Sequence, residues 1–75
     1  MRKLVEVLAK SLVDHPDQVE VREVPGDRSV LIEVRVAPED MGKVIGKQGR
    51  IAKAIRTVVK SAAVRENKRV TVEFI

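Results

Sequence analysis

The sequence predicts an α+β fold with elements in the order α-β-β-α-α-β. Three observations carry this. Apolar residues recur at helical spacing near the N-terminus and again through residues 38–65. Around 30–36 and 70–74 every second residue is aliphatic or aromatic and the residues between them are mostly polar. Proline, glycine and asparagine punctuate the joints between these stretches. At 75 residues, 44% hydrophobic and 35% charged, the chain is expected to be one domain (1–75). A domain of this size buries only about 60% of its unfolded surface.

Residues 2–13 read as a helix, with Leu4, Val5, Leu8, Ala9 and Leu12 on one stripe and Lys3, Glu6 and Lys10 off it. Asp14-His15-Pro16 ends it, because proline disfavours helical geometry in the residue before it. A half-buried strand is expected from Gln18 to Val24, where Val19 and Val21 alternate with Glu20 and Arg22. Pro25-Gly26-Asp27 turns the chain into a second strand. There Val30, Ile32, Val34 and Val36 form an aliphatic face against Leu31, Glu33 and Arg35. Pro38 suits the first position of a short helix whose positive end favours Glu39 and Asp40. Met41, Val44 and Ile45 form its apolar face, and Gly46 is expected to end it. A further helix starts at Gly49 or Arg50 and runs to about Arg65. Its apolar side is Ile51, Ala52, Ile55, Val58, Val59, Ala62 and Ala63, with Arg50, Lys53, Arg56, Thr57 and Lys60 expected opposite. After Glu66-Asn67-Lys68, Val70, Val72 and Phe74 alternate with Thr71 and Glu73 in a last strand.

Composition excludes several chemistries. Without cysteine and with one histidine, neither a disulfide framework nor the usual thiolate or imidazole metal sites are available, and no metal or cofactor is expected. No apolar run reaches the roughly 20 residues of a membrane span and no signal-peptide core stands at the N-terminus, so a cytoplasmic location is the expectation. The net charge of +4 is unevenly spread. Seven basic residues and no acidic one lie between Met41 and Arg65, against eight basic and eleven acidic residues elsewhere. One segment therefore carries the positive charge, as a polyanion footprint requires.

The chemistry concentrates at Val44-Ile45-Gly46-Lys47-Gln48-Gly49-Arg50-Ile51. Two glycines three apart permit a tight turn and let a sugar-phosphate backbone approach the main chain. The helix that starts there directs free N–H groups and a positive dipole end at a bound anion. Lys47 and Gln48 are the expected phosphate ligands, with Arg50 and Lys53 the nearest supporting residues of the helix. Val44, Ile45 and Ala52 are expected to line an apolar groove for bases. Lys68 and Arg69 are candidates for its far side. His15 reads as a helix-terminating residue, and Phe74, the only aromatic residue, as core. With no aromatic platform, recognition is expected to rest on phosphate contacts, aliphatic packing and edge hydrogen bonds, and to be weak.

These residues resemble a KH domain, in which a G-x-x-G loop between two helices clamps about four nucleotides of backbone. The element order resembles the bacterial type II form, a three-stranded sheet with helices packed on one face. Leu12 to Pro16, Val34 to Arg50 and Ile51 to Arg56 are similar to the small single-KH bacterial RNA-binding proteins of the KhpA family, and the likeness extends over nearly the whole chain. The resemblance implies a non-catalytic, chaperone-like binder of single-stranded RNA in the cytoplasm. It also implies a homodimer, or a heterodimer with a larger KH-domain protein, and a role touching cell shape or division. In one departure, Ala52 stands where many KH domains carry a large aliphatic residue three positions after the second glycine.

Two other function classes compete with this reading. A phosphate loop needs four residues between its glycines and then Lys followed by Ser or Thr. Here three residues separate Gly42 from Gly46 and Gln48 follows Lys47, which rejects a nucleotide-hydrolysing enzyme. The runner-up is a protein-interaction or dimerisation module, with RNA binding secondary, because the last helix has a broad apolar face for so small a domain.

Overall fold

The computed structural model describes residues 1–75, with the side chain of Lys47 outside the described set. Helix α1 (Arg2–Leu12) is followed by a 3-10 turn (Pro16–Gln18), strands β1 (Glu20–Pro25) and β2 (Ser29–Arg35), the helical run α2 (Pro38–Arg65) and strand β3 (Arg69–Phe74). The fold is α+β, with the three strands in one sheet. Strand β1 begins at Glu20 rather than Gln18, because Pro16 starts a turn in which the Gln18 N–H bonds the His15 carbonyl at 3.0 Å.

Strand β2 is central, antiparallel to β1 (Glu20↔Arg35 through Pro25↔Val30) and parallel to β3 (Ser29↔Arg69 through Val34↔Phe74). A parallel pair needs a long crossover, and α2 supplies it. The helices cover one face of the sheet. Val5 and Ala9 of α1, Ile32 and Val34 of β2, Val44, Ala52, Ile55 and Val59 of α2 and Val72 of β3 form one buried cluster. Each fully buried valine or isoleucine there contributes roughly 1.5–3 kcal/mol over leaving it exposed. The other sheet face is solvated and carries both signs of charge: Glu20 pairs across from Arg35, and Arg22 from Glu33 at 3.7 Å.

Run α2 is not one straight rod. Gln48 and Gly49 have φ of 65° and 66°, a left-handed geometry that a right-handed helix cannot carry through. A straight helix of 28 residues would be about 42 Å long, whereas the longest dimension of the molecule is 34 Å. The run is thus two arms, 38–47 and 50–65, meeting at Gln48-Gly49. The sequence reading ended the first helix at Gly46 and began the next at Gly49 or Arg50, and the break falls within that turn. The path stays right-handed through Gly46, whose φ is not positive, and reverses two residues later. The second arm ends in a Schellman motif: Asn67 takes φ 56°, its N–H bonds the Val64 carbonyl at 3.2 Å, and the Lys68 N–H bonds Ala63 at 3.0 Å.

The start of α2 is locked to the end of α1 by Asp40, which is 1% exposed. Its carboxylate accepts the backbone N–H of Asp14 at 3.2 Å and of His15 at 2.9 Å. The sequence reading gave Asp40 only a favourable place at a helix end. Lys43 reinforces the joint through Asp14 at 3.1 Å, and the His15 Nε2 lies 3.7 Å from Glu39.

Candidate functional site

Each arm of α2 fixes one side of the turn. Val44 (1% exposed) and Ala52 (2%) flank it and pack into the core, so their burial sets the direction in which 46–49 projects. This corrects the expectation that both line an open groove: a side chain buried to that extent offers no surface to a base. The aliphatic surface that remains beside the turn is Ile45, 51% exposed, and half-buried Ile51. Position 52, where many KH domains carry a large aliphatic side chain, is thus part of the core and not of a groove.

The turn itself is open. A Cβ built on Gly46 or Gly49 meets no atom within 4 Å. The backbone angle of Gly49 favours glycine, but that of Gly46 does not, since its φ is not positive. Nothing inside the fold accounts for a glycine at 46, and what an absent side chain provides there is approach from outside. Gln48 is exposed and held left-handed without being glycine, a strain of about 1–2 kcal/mol of the kind that clusters at ligand clamps. Lys47 lies outside the described side chains. Where the right-handed path resumes at Arg50, the first N–H groups of the second arm face back towards the turn.

The charge around the turn is sorted by partners. Lys43, one of the basic run, is neutralised by Asp14. Among the described residues, Arg50, Lys53, Arg56, Lys60 and Arg65 have no acid within ion-pair distance; the five pairs present are Arg2–Glu6, Lys10–Glu6, His15–Glu39, Arg22–Glu33 and Lys43–Asp14. Arg50 lies opposite the core, as expected, but Lys53, Arg56 and Lys60 do not. The buried stripe is Ala52, Ile55, Val59 and Ala63. At 100° per residue Lys53, Arg56 and Lys60 fall within about 60° on one flank of it, and Ile51, Val58 and Ala62 on the other. The basic flank is the one beside β3. There Arg56, Lys60, Lys68 and Arg69 wall a groove of about 450 Å³ floored by Val59, Ala63, Val70 and Val72. Lys68 and Arg69 thus wall this groove beside β3 and not one lined by Val44, Ile45 and Ala52, while Arg56 is its best-anchored residue. The even spacing of basic residues gave no sign of that difference. The arrangement offers a polyanion an open backbone turn, unpaired cations and an apolar floor.

Residues 2–74 match the family of KhpA/KhpB KH domains. The chain belongs to that family. Its G-x-x-G turn is Gly46-Lys47-Gln48-Gly49, and the element order with β2 parallel to β3 is the type II KH arrangement. Among curated relatives it is 71% identical over 75 residues to the RNA-binding protein KhpA of Clostridium acetobutylicum and 68% to that of Clostridium perfringens, in each case covering the whole of both chains. It is 48% identical to the RNA-binding protein KhpA of Aquifex aeolicus, covering all of this chain and 95% of the relative. No solved structure matches this chain significantly. Among the described residues no helix is long and apolar enough to cross a membrane, and no group of three or more histidine, cysteine or acidic side chains is placed to hold a metal ion.

Proposed function

We propose that residues 1–75 act as one KH domain that binds single-stranded RNA by its backbone, without catalysis. The observation that carries this is the open turn at Gly46–Gly49 set among unpaired cations: a glycine at 46 that the fold does not need, beside Arg50 and Lys53 with no acid partner among the described residues. Gly46, Lys47, Gln48 and Gly49 are the clamp, with Arg50 and Lys53 adding charge and Ile45 an apolar contact. Val44 and Ala52 act only by holding the two arms in place. The curated relatives carry the name RNA-binding protein, which supports the same reading. Neutralising phosphates with several cations makes affinity fall steeply with salt.

The proposal extends to a cytoplasmic, chaperone-like regulator acting as a homodimer or with a larger KH-domain protein, and touching cell shape or division, as the family resemblance implies. A second reading, a dimerisation module, is favoured by one feature: Val58 and Val64 are 41% and 73% exposed on the second arm. Replacing Lys47 and Gln48 together by aspartate, and measuring RNA binding and self-association on the folded variant, separates the two. Loss of RNA binding with association unchanged is the expected result. Unchanged RNA affinity would remove the clamp, and a change in association alone would make the turn a partner contact.

A further inference from the structure

Lysine and arginine side chains on a helix face are ordinarily mobile, and most of the described cations near the turn are exposed with nothing to hold them. Arg56 differs. Its Nε donates to the Val72 carbonyl of the edge strand β3 at 3.3 Å, and its guanidinium carbon lies 5.4 Å from the centre of the Phe74 ring, within the range of a cation–π contact. Despite both anchors the residue remains exposed and lines the groove beside β3. No acidic residue lines that groove, and no carboxylate pairs with Arg56 among the described residues. Arg56 lies six residues beyond Arg50, about 9 Å along the second arm, one nucleotide's reach from the turn.

A guanidinium is planar and weakly hydrated, and it stacks on flat rings. The Phe74 ring lies on one side of this one, and the side chain stays exposed beside the groove. Single-stranded bases stack on aromatic side chains or on arginine planes. The single aromatic residue of this chain is engaged by Arg56, so the flat group left exposed beside the groove is the guanidinium. Because the ring and the carbonyl already fix its rotamer, little conformational freedom is lost when a base lands on it.

We infer that Arg56 is the base-stacking platform of this interface. A nucleotide whose phosphate sits on the 46–49 turn lays its base on the guanidinium plane, at the head of the groove against β3. The inference rests on the RNA-binding reading above and adds the group that meets the bases. Stacking of this kind tolerates every base, so the contact gives affinity without sequence preference.

The test is the affinity of the wild type and of Arg56→Lys for two probes across a salt series. One is a single-stranded RNA oligonucleotide, and the other has the same length with abasic residues throughout. The wild type is expected to prefer the base-bearing probe roughly tenfold. Arg56→Lys keeps the charge but not the plane. It is expected to lose most of that preference, to bind the abasic probe like the wild type, and to keep the salt slope. Phe74→Leu, checked for folding by its thermal midpoint, is expected to lower the preference too by releasing the guanidinium. Three results would overturn the inference: a wild type with no preference for bases, an Arg56→Lys variant with the full preference, or equal losses on both probes, which would make Arg56 a phosphate ligand. If the wild type binds neither probe, the RNA-binding reading fails instead.

Discussion

Replacing Gly46 by alanine separates stability from binding in this fold. Gly46 lies in the right-handed part of α2, its φ is not positive, and an added Cβ meets nothing within 4 Å. A glycine in a helix interior is about 0.5–1 kcal/mol less favourable than alanine, so Gly46→Ala is expected to stabilise the protein by that amount. For a chain of this size the gain corresponds to a rise in Tm of about 2–8 °C. The added methyl group occupies the space through which an RNA backbone reaches the turn. Displacing one phosphate from hydrogen-bonding range of a backbone N–H removes about 1.5 kcal/mol or more, roughly a tenfold loss of affinity. Gly42→Ala is the control: that position is equally unobstructed and right-handed but lies a full turn before the loop, so it gains stability and keeps its RNA affinity. The chain has no Trp or Tyr, so far-UV circular dichroism reads the melts, and fluorescence anisotropy of a labelled single-stranded RNA reads binding. A stabilised Gly46→Ala variant that binds RNA like the wild type refutes the close approach. A destabilised one refutes the helical geometry at that position.

Other perturbations address different parts of the account. Gly49→Ala places a side chain at φ 66° and is expected to cost about 1 kcal/mol in denaturant unfolding; no loss would contradict the left-handed turn. Asp40→Ala leaves the N–H groups of Asp14 and His15 without their carboxylate and should cost about 2–4 kcal/mol in urea unfolding, while a change under about 0.5 kcal/mol would show that the joint is not held there. Lys43→Ala removes an exposed ion pair worth less than about 1 kcal/mol; it is expected to bind RNA nearly as the wild type does, in contrast to Lys53→Ala, which weakens binding and flattens its salt dependence. The hydrogen bond and charge of Lys10 hold the Glu6 carboxyl below its usual range. The resulting stabilisation is present above the ordinary carboxylate range and lost as pH falls through the lowered value, which carboxyl NMR titration reads. A Glu6 titration at or above the ordinary range would contradict it.

The regular elements were legible because their signals are local and repeated. Alternation in Val30–Val36 and in Val70–Phe74 marks a buried sheet face, and the spacing of Ala52, Ile55, Val59 and Ala63 marks a core stripe. The broader apolar set of the second arm hid which residues were core. Val58 has the same character as Val59 but lies 100° away and is 41% exposed. The first arm of α2 was ended too early because glycine signals the possibility of a left-handed residue without requiring one. Gly46 does not use it, whereas Gln48, which carries no such signal, does. Val44 and Ala52 were read as groove because adjacency to the turn in sequence says nothing of which way a helical side chain points. Asp40 and Arg56 were missed as anchors because their partners lie in other elements: Asp40 reaches back 25 and 26 residues to His15 and Asp14, and Arg56 reaches 16 forward to Val72. Contacts at that separation leave no periodicity to find.

The most direct test of the account is a titration of the isotope-labelled protein with a short single-stranded RNA, followed through its backbone amide resonances. The largest changes are expected at Gly46 to Lys53, continuing along the second arm to Arg56 and across to β3 near Val72. Changes confined to the solvated sheet face of Arg22, Glu33 and Arg35, or to the Val58 and Ala62 flank, would contradict it.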